Sequence, residues 1–227
     1  MLFEQLFDDE SCTYTYLLGS AGEALLIDPV REHLKDYLAL LQRHDLTLRY
    51  AIDTHTHADH ITALGELRDA TGCETLIGAP SQMSCVSRQL ADGDVLSIGE
   101  LELVALATPG HTNDSYSFLL ASESMVFTGD TLLIGGTGRT DFQQGDAVSQ
   151  YHSLFDVLLA LPPETRVYPG HDYLGKTVSS IGMERASNPR LQVSDASAYA
   201  DIMANLKLDN PRLMDVAIPA NLSCGKL

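Results

Sequence analysis

The sequence predicts an α/β fold in which mixed β-sheets are covered by helices, and three observations carry that expectation. Short strand-like runs and helical patterns are interleaved along the whole chain. Several of the strand runs are separated only by a turn, so hairpins are expected and the sheets are mixed rather than purely parallel. Four of the runs end on a small residue or two followed by a metal-competent side chain, at AIDTHTHADH, LVALATPGH, MVFTGD and RVYPGH.

The elements follow in order. LFEQLF, TYTYLLG and EALLIDP alternate as strands do, and Glu32 to His44 carries Leu34, Tyr37, Leu38 and Leu41 at helical spacing. The strand LRYAIDTH runs straight into HTHADH. From Asp59 to Ala70 the residues Ile61, Leu64 and Leu67 predict a helix, which Gly72 stops. DVLSIGELELVALATPGH predicts two strands around a turn at Gly99, and SYSFLL and SMVFTGD two more. A helix over Ala147 to Ala160, the strand TRVYPGH and a helical pattern around Gly175 to Ala186 complete the series. No repeat and no Ser/Gly/Pro-rich linker divides the chain. The expectation is one domain over residues 1–227, with a short C-terminal extension from about residue 172.

With 227 residues, 44% of them hydrophobic, the chain can bury a full core. Lys and Arg number 14 against 31 Asp and Glu, a formal charge of -17, so the long-range field repels nucleic acid and anionic membrane. No apolar run approaches the length of a membrane span, and the N-terminus has no basic, signal-like start, so a soluble cytoplasmic protein is expected. Cys12, Cys73, Cys85 and Cys224 are scattered and form no CxxC pair, and they are expected to be buried or surface thiols rather than a disulfide framework.

The candidate ligands are His55, His57, Asp59, His60, His111, Asp130 and His171. Strand ends feeding loops let a rigid sheet hold side chains convergently, and Gly110, Gly129 and Gly170 permit the tight backbone that aims them. Neutral imidazole and carboxylate are the usual ligands of zinc, iron and manganese. Without a cation such a cluster repels or titrates, whereas a divalent ion favours its deprotonated forms. Any one of these residues alone reads as a turn or cap residue. Three of the eight histidines fall within six residues, which that reading does not explain. His33, His44 and His152 have no such company and are expected to be ordinary surface or core histidines.

In this order the residues resemble the metallo-β-lactamase superfamily: HTHADH matches its HxHxDH signature, and His111, Asp130 and His171 match its later ligand positions. The resemblance implies an αββα sandwich of two mixed sheets flanked by helices. Within that superfamily the chain is similar to the persulfide dioxygenases, also called sulfur dioxygenases, which are related to glyoxalase II. THTHADHITALGEL, TPGHTNDS, FTGDTLLI, GTGRTDFQQGD, YPGHDYLGKTVSSIGMERASNPRL and VAIPANLSCG carry that resemblance over nearly the whole chain. Glyoxalase II-type hydrolases share the ligands but usually continue into a longer helical C-terminal region.

The resemblance implies one iron(II) per chain, held by His55, His111 and Asp130, with His57, Asp59, His60, His171 and Asp172 placed behind the ligands. Two histidines and one carboxylate leave coordination positions open, as oxygen chemistry at non-haem iron requires. It further implies oxidation of glutathione persulfide by O2 and water to glutathione and sulfite. Arg139 is the candidate for a glutathione carboxylate because guanidinium binds carboxylate bidentately, and Tyr173 and Lys176 are further candidates for substrate contact. Thr137 stands where some relatives have Cys. A dinuclear hydrolase of glutathione thioesters is the alternative, because the complete two-metal ligand set is present. A non-catalytic persulfide- or metal-sensing module is a third reading. Ile202, Met203, Leu206 and Leu208 leave open whether the tail supports a homodimer or packs on its own core.

Overall fold

The computed structural model describes residues 1–226. Twelve strands form two six-stranded sheets. The first runs in chain order through β1 (Leu2–Asp8), β2 (Thr13–Ser20), β3 (Glu23–Ile27), β4 (Thr47–Ile52), β5 (Glu74–Gly78) and β6 (Arg88–Leu90). β1 to β3 pair antiparallel and β3 to β6 parallel, so the sheet is mixed, as the adjacent hairpins predict. The second sheet comprises β7 (Val95–Ile98), β8 (Leu101–Ala107), β9 (Tyr116–Leu120), β10 (Met125–Gly129), β11 (Arg166–Pro169) and β12 (Ser179–Ser180), also in chain order. Its β8–β9, β9–β10 and β11–β12 pairs are antiparallel and its β10–β11 pair is parallel.

Six α-helices accompany the sheets: α1 (Leu34–Arg43), α2 (Leu64–Thr71), α3 (Ala147–His152), α4 (Ile181–Ser187), α5 (Ala196–Ala204) and α6 (Met214–Asn221). The chain divides into two compact units, Met1–Leu90 with Leu96–Glu102 and Asn210–Leu227 in one, and Ala91–Val95 with Leu103–Asp209 in the other. In the first unit Leu17, Leu26 and Ala51 of the sheet pack with Tyr37 and Leu41 of α1 and Leu64 and Leu67 of α2. In the second, Val126 and Val167 pack with Leu154, Leu158, Ile181, Tyr199 and Met203. Met203 and Leu206 of the tail therefore pack on their own core.

Two helices start later than their periodicity predicts. α2 begins at Leu64, because Arg31 N donates to Ile61 O at 2.8 Å, Ala63 N to Pro29 O at 2.7 Å and Thr62 N to Asn221 Oδ1 at 2.9 Å. These bonds spend the donors and acceptors that a first helical turn needs. α4 begins at Ile181, because Asp172 Oδ2 accepts from Leu174 N and Lys176 N at 2.8 and 2.7 Å and turns the chain there. The helix expected from Ala147 does form, with Asp146 capping Ser149 N at 2.7 Å, and continues through a π-helical turn, Ser153–Leu158.

The cysteine expectation is corrected: Cys85 and Cys224 form a disulfide, and Cys12 and Cys73 remain thiols. No local spacing signals a bond between positions 139 residues apart. What brings the two together is packing, since Cys85, Val86, Leu222 and Cys224 share the core of the first unit. Thiol titration of the denatured protein is expected to count two thiols before reduction and four after. Cys85→Ser should lower the unfolding free energy by roughly 2 to 4 kcal/mol in denaturant titrations, as for a bridge that closes a long loop. Four thiols without reductant would contradict the pairing.

Candidate metal centre

In the first unit the HTHADH loop leaves the end of β4 and folds over a buried carboxylate. Asp28, just beyond β3, accepts from Thr54 N at 2.6 Å, Thr54 Oγ1 at 3.0 Å and His57 Nε2 at 3.1 Å. Burial favours the neutral acid of Asp28, but His57, His55 and the Thr54 amide outweigh it and hold its pKa below the usual carboxylate value. Burial likewise opposes the charged form of His57, yet Asp28 dominates and pushes that imidazole up to about 9. The rings of His55 and His57 lie 4.2 Å apart and those of His57 and His60 4.3 Å. His60 Nδ1 lies 2.8 Å from Asp59 Oδ2, and Thr13 Oγ1 donates to the same oxygen at 3.1 Å.

The tail holds this loop from behind. Asn221 at the end of α6 donates through Nδ2 to the carbonyl oxygens of His57 and His60, both at 2.9 Å, and accepts from Thr62 N. All three of its bonds are buried, so none is replaced by water when the side chain is lost. Within this unit the ligand atoms of His57, Asp59 and His60 lie within 4.8 Å of one another, as do those of Asp28, Asp53 and His57.

In the second unit, Gly110 (φ 139°) turns the chain after β8 and presents His111. His111 Nδ1 donates to the carbonyl oxygen of Arg139 at 2.7 Å. That bond fixes the tautomer and leaves the Nε2 lone pair for a metal. His111 Nε2 lies 3.5 Å from Asp130 Oδ2, while Asp130 Oδ1 takes a hydrogen bond from His171 Nδ1 at 2.6 Å. Two imidazoles thus address one carboxylate, His111 through Nε2 and His171 through Nδ1.

The two residues before Arg139 are held by a buried network. Gln150 Nε2 donates to Gly138 O at 3.2 Å, Tyr199 Oη to Gln150 Oε1 at 2.8 Å, and Thr137 Oγ1 lies 2.9 Å from Tyr199 Oη. Arg190 donates to the Thr137 carbonyl, in keeping with a structural role.

Of the expected substrate contacts, Arg139 forks onto Asp141, Nε to Oδ1 at 2.6 Å and Nη2 to Oδ2 at 2.7 Å, and lies over the Phe142 ring. Tyr173 is 68% exposed and stacks on His171 with centroids 6.1 Å apart, and Lys176 is exposed. Asp172 is buried and serves the turn that precedes β12. His33 and His152 pair with Asp8 and Asp156.

The residues missed by sequence reasoning are Asp28, Asn221, Gln150 and Tyr199. Asp28 alone carried a visible sign, because EALLIDP is another strand run that ends on an acid.

Comparison with known proteins gives the class first. The pattern of the Metallo-beta-lactamase superfamily matches residues 10–84 and 86–171, which bears out the αββα fold class expected from the motifs. Human persulfide dioxygenase ETHE1 is 46% identical over 228 residues, 99% of this chain and 89% of the human protein. The crystal structure of ETHE1 from Myxococcus xanthus superposes with a TM-score of 0.96 at 50% identity, covering 99% of this chain and 100% of that one. A probable hydroxyacylglutathione hydrolase of Schizosaccharomyces pombe is 31% identical over 89% of this chain and 90% of its own length. The chain belongs to the persulfide dioxygenase family of the metallo-β-lactamase superfamily.

Proposed function

We propose that the protein is a non-haem iron(II) persulfide dioxygenase that oxidises glutathione persulfide with O2 and water to glutathione and sulfite. The observation that carries this reading is the identity of 46 to 50% with proteins of that name over nearly the full length of each chain, against 31% with the probable hydrolase.

His55, His111 and Asp130 are the proposed ligands of one iron per chain. The residues fit that ion: His111 has Nδ1 committed to a carbonyl, Asp130 keeps Oδ2 beside His111 Nε2, and His171 steadies its other oxygen. Iron(II) bound there would supply the one-electron chemistry with O2 that amino-acid side chains lack. In this reading His57, with Nε2 tied to Asp28, positions the loop.

Arg139, Tyr173 and Lys176 are the proposed substrate contacts. A glutathione carboxylate reaching Arg139 replaces Asp141 in its fork, one carboxylate for another. Among the described residues no helix is long and apolar enough to cross a membrane.

The test is a product assay. Glutathione persulfide should yield one sulfite and one glutathione per O2 consumed, with a glutathione thioester left intact. Thioester hydrolysis without O2 uptake would assign the dinuclear hydrolase instead.

A further inference from the structure

Within the second unit, the loop of residues 135–139 lies against both His111 and Asp130. Gly138 N donates to the Asp130 carbonyl oxygen at 2.6 Å, and the Arg139 carbonyl oxygen takes the hydrogen bond from His111 Nδ1 at 2.7 Å. The fit leaves no room for a side chain, since a Cβ on Gly138 would stand 2.3 Å from that Asp130 oxygen and 2.7 Å from His111 Nδ1. Side chains from beyond His171 hold the same loop. Gly135 N donates to Glu184 Oε2 at 2.8 Å, Asn188 Nδ2 donates to Gly136 O at 2.9 Å, and Arg190 Nη1 donates to Thr137 O and, at 3.2 Å, to Thr137 Oγ1.

The hydroxyl of Tyr199 joins these supports in one fixed sense. Gln150 Nε2 faces the carbonyl oxygens of Gly138 at 3.2 Å and Thr131 at 3.5 Å, so Oε1 is the atom turned to Tyr199, whose Oη donates to it at 2.8 Å. With its proton committed there, Tyr199 Oη accepts from Thr137 Oγ1 at 2.9 Å, and Thr137 Oγ1 accepts from Arg190. The other neighbour of the Thr137 hydroxyl, Met203 Sδ at 3.8 Å, is the weaker acceptor. Burial pushes the Tyr199 phenol up to about 12, outweighing Thr137 and Arg190, so it keeps its proton. Tyr199, Gln150 and Thr137 are all buried. Satisfying a buried hydroxyl takes one partner, whereas this path leaves the loop at Thr137 and returns to it at Gly138.

We infer that Tyr199 is a positioning residue for the metal centre, its hydroxyl locking residues 137–139 in the place from which the Arg139 carbonyl orients His111. The inference rests on the proposed reading of His111 as an iron ligand. Without Oη the Gln150 amide can turn, and the Gly138 carbonyl loses its fixed donor. The carbonyl one residue further on then no longer holds the imidazole in a single orientation, and a histidine whose outer hydrogen bond is loosened binds its ion less tightly.

Tyr199→Phe keeps the ring in the core, and Thr137→Val keeps the shape of the side chain, while each removes one hydroxyl. Each folded variant is expected to bind iron(II) about tenfold more weakly in competition with a chromophoric chelator, the low end of what losing a group behind a ligand costs. The visible absorption of the cobalt(II)-loaded protein, which reports the geometry around the ion, should shift in both. Thr137→Ser, which keeps the hydroxyl, should retain the affinity and the spectrum of the unmodified protein. A network that served the fold alone would lower the unfolding midpoint and nothing else. An unchanged iron dissociation constant and cobalt spectrum in Tyr199→Phe would therefore overturn the inference, and if that variant does not fold, the same readings on Thr137→Val decide. His111→Ala is the control: if it binds iron and cobalt as the unmodified protein does, the ligand reading fails and the inference with it.

Discussion

Replacing His111 with Ala is expected to empty the protein of iron and to lower persulfide-dependent O2 uptake by about a thousandfold or more. The scale follows from groups behind the ligands, whose loss costs roughly ten- to a hundredfold in affinity or activity, so a ligand should cost more. His111 has Nδ1 fixed on the Arg139 carbonyl and Nε2 3.5 Å from Asp130 Oδ2. Its removal also strands the Arg139 carbonyl, at a cost of about 1 to 2 kcal/mol, which a domain of this size survives. Metal analysis and an oxygen electrode on the folded variant check this. A variant that retains one iron per chain and normal uptake would remove His111 from the ligand set.

Gly110→Ala is expected to be strongly destabilising. Gly110 has φ of 139°, a conformation that a residue with a Cβ rarely adopts. The added Cβ would stand 2.2 Å from Gln150 Cβ, 2.3 Å from its Cα and 2.4 Å from its backbone nitrogen. The obstruction is backbone inside α3, which cannot turn aside as a side-chain tip can. Strain and overpacking together should exceed about 3 kcal/mol. Because Gln150 also holds the Gly138 carbonyl, the displacement should reach the loop that orients His111. Denaturant unfolding and iron content of the variant read the two effects separately. Unchanged values for both would contradict the close packing of Gly110 on α3.

Much of this was legible in the sequence because strand ends advertise themselves. The runs before His55, His111, Asp130 and His171 are short, apolar and followed by small residues, and those strands and the loops after them form where expected. The ligand types then needed only local order. What sequence did not disclose depends on contacts between distant positions. Asn221 lies more than 160 residues from His57 and His60, and nothing in PAN names its partners. The Cys85–Cys224 bond is hidden for the same reason. Helical periodicity misplaced the starts of α2 and α4 because apolar spacing reports which face is buried. It does not report which backbone groups are already taken by Pro29, Asn221 or Asp172. The network of Gln150 and Tyr199 lacked a sign because each residue reads alone as ordinary helix.

The central claim is that one redox-active iron, and not a pair of hydrolytic ions, serves this site. We would purify the protein anaerobically, measure iron and zinc per chain, and record O2 uptake with glutathione persulfide on the same sample. The account predicts about one iron per chain and O2 uptake that rises with iron content. Two metal ions per chain with no O2 uptake would contradict it.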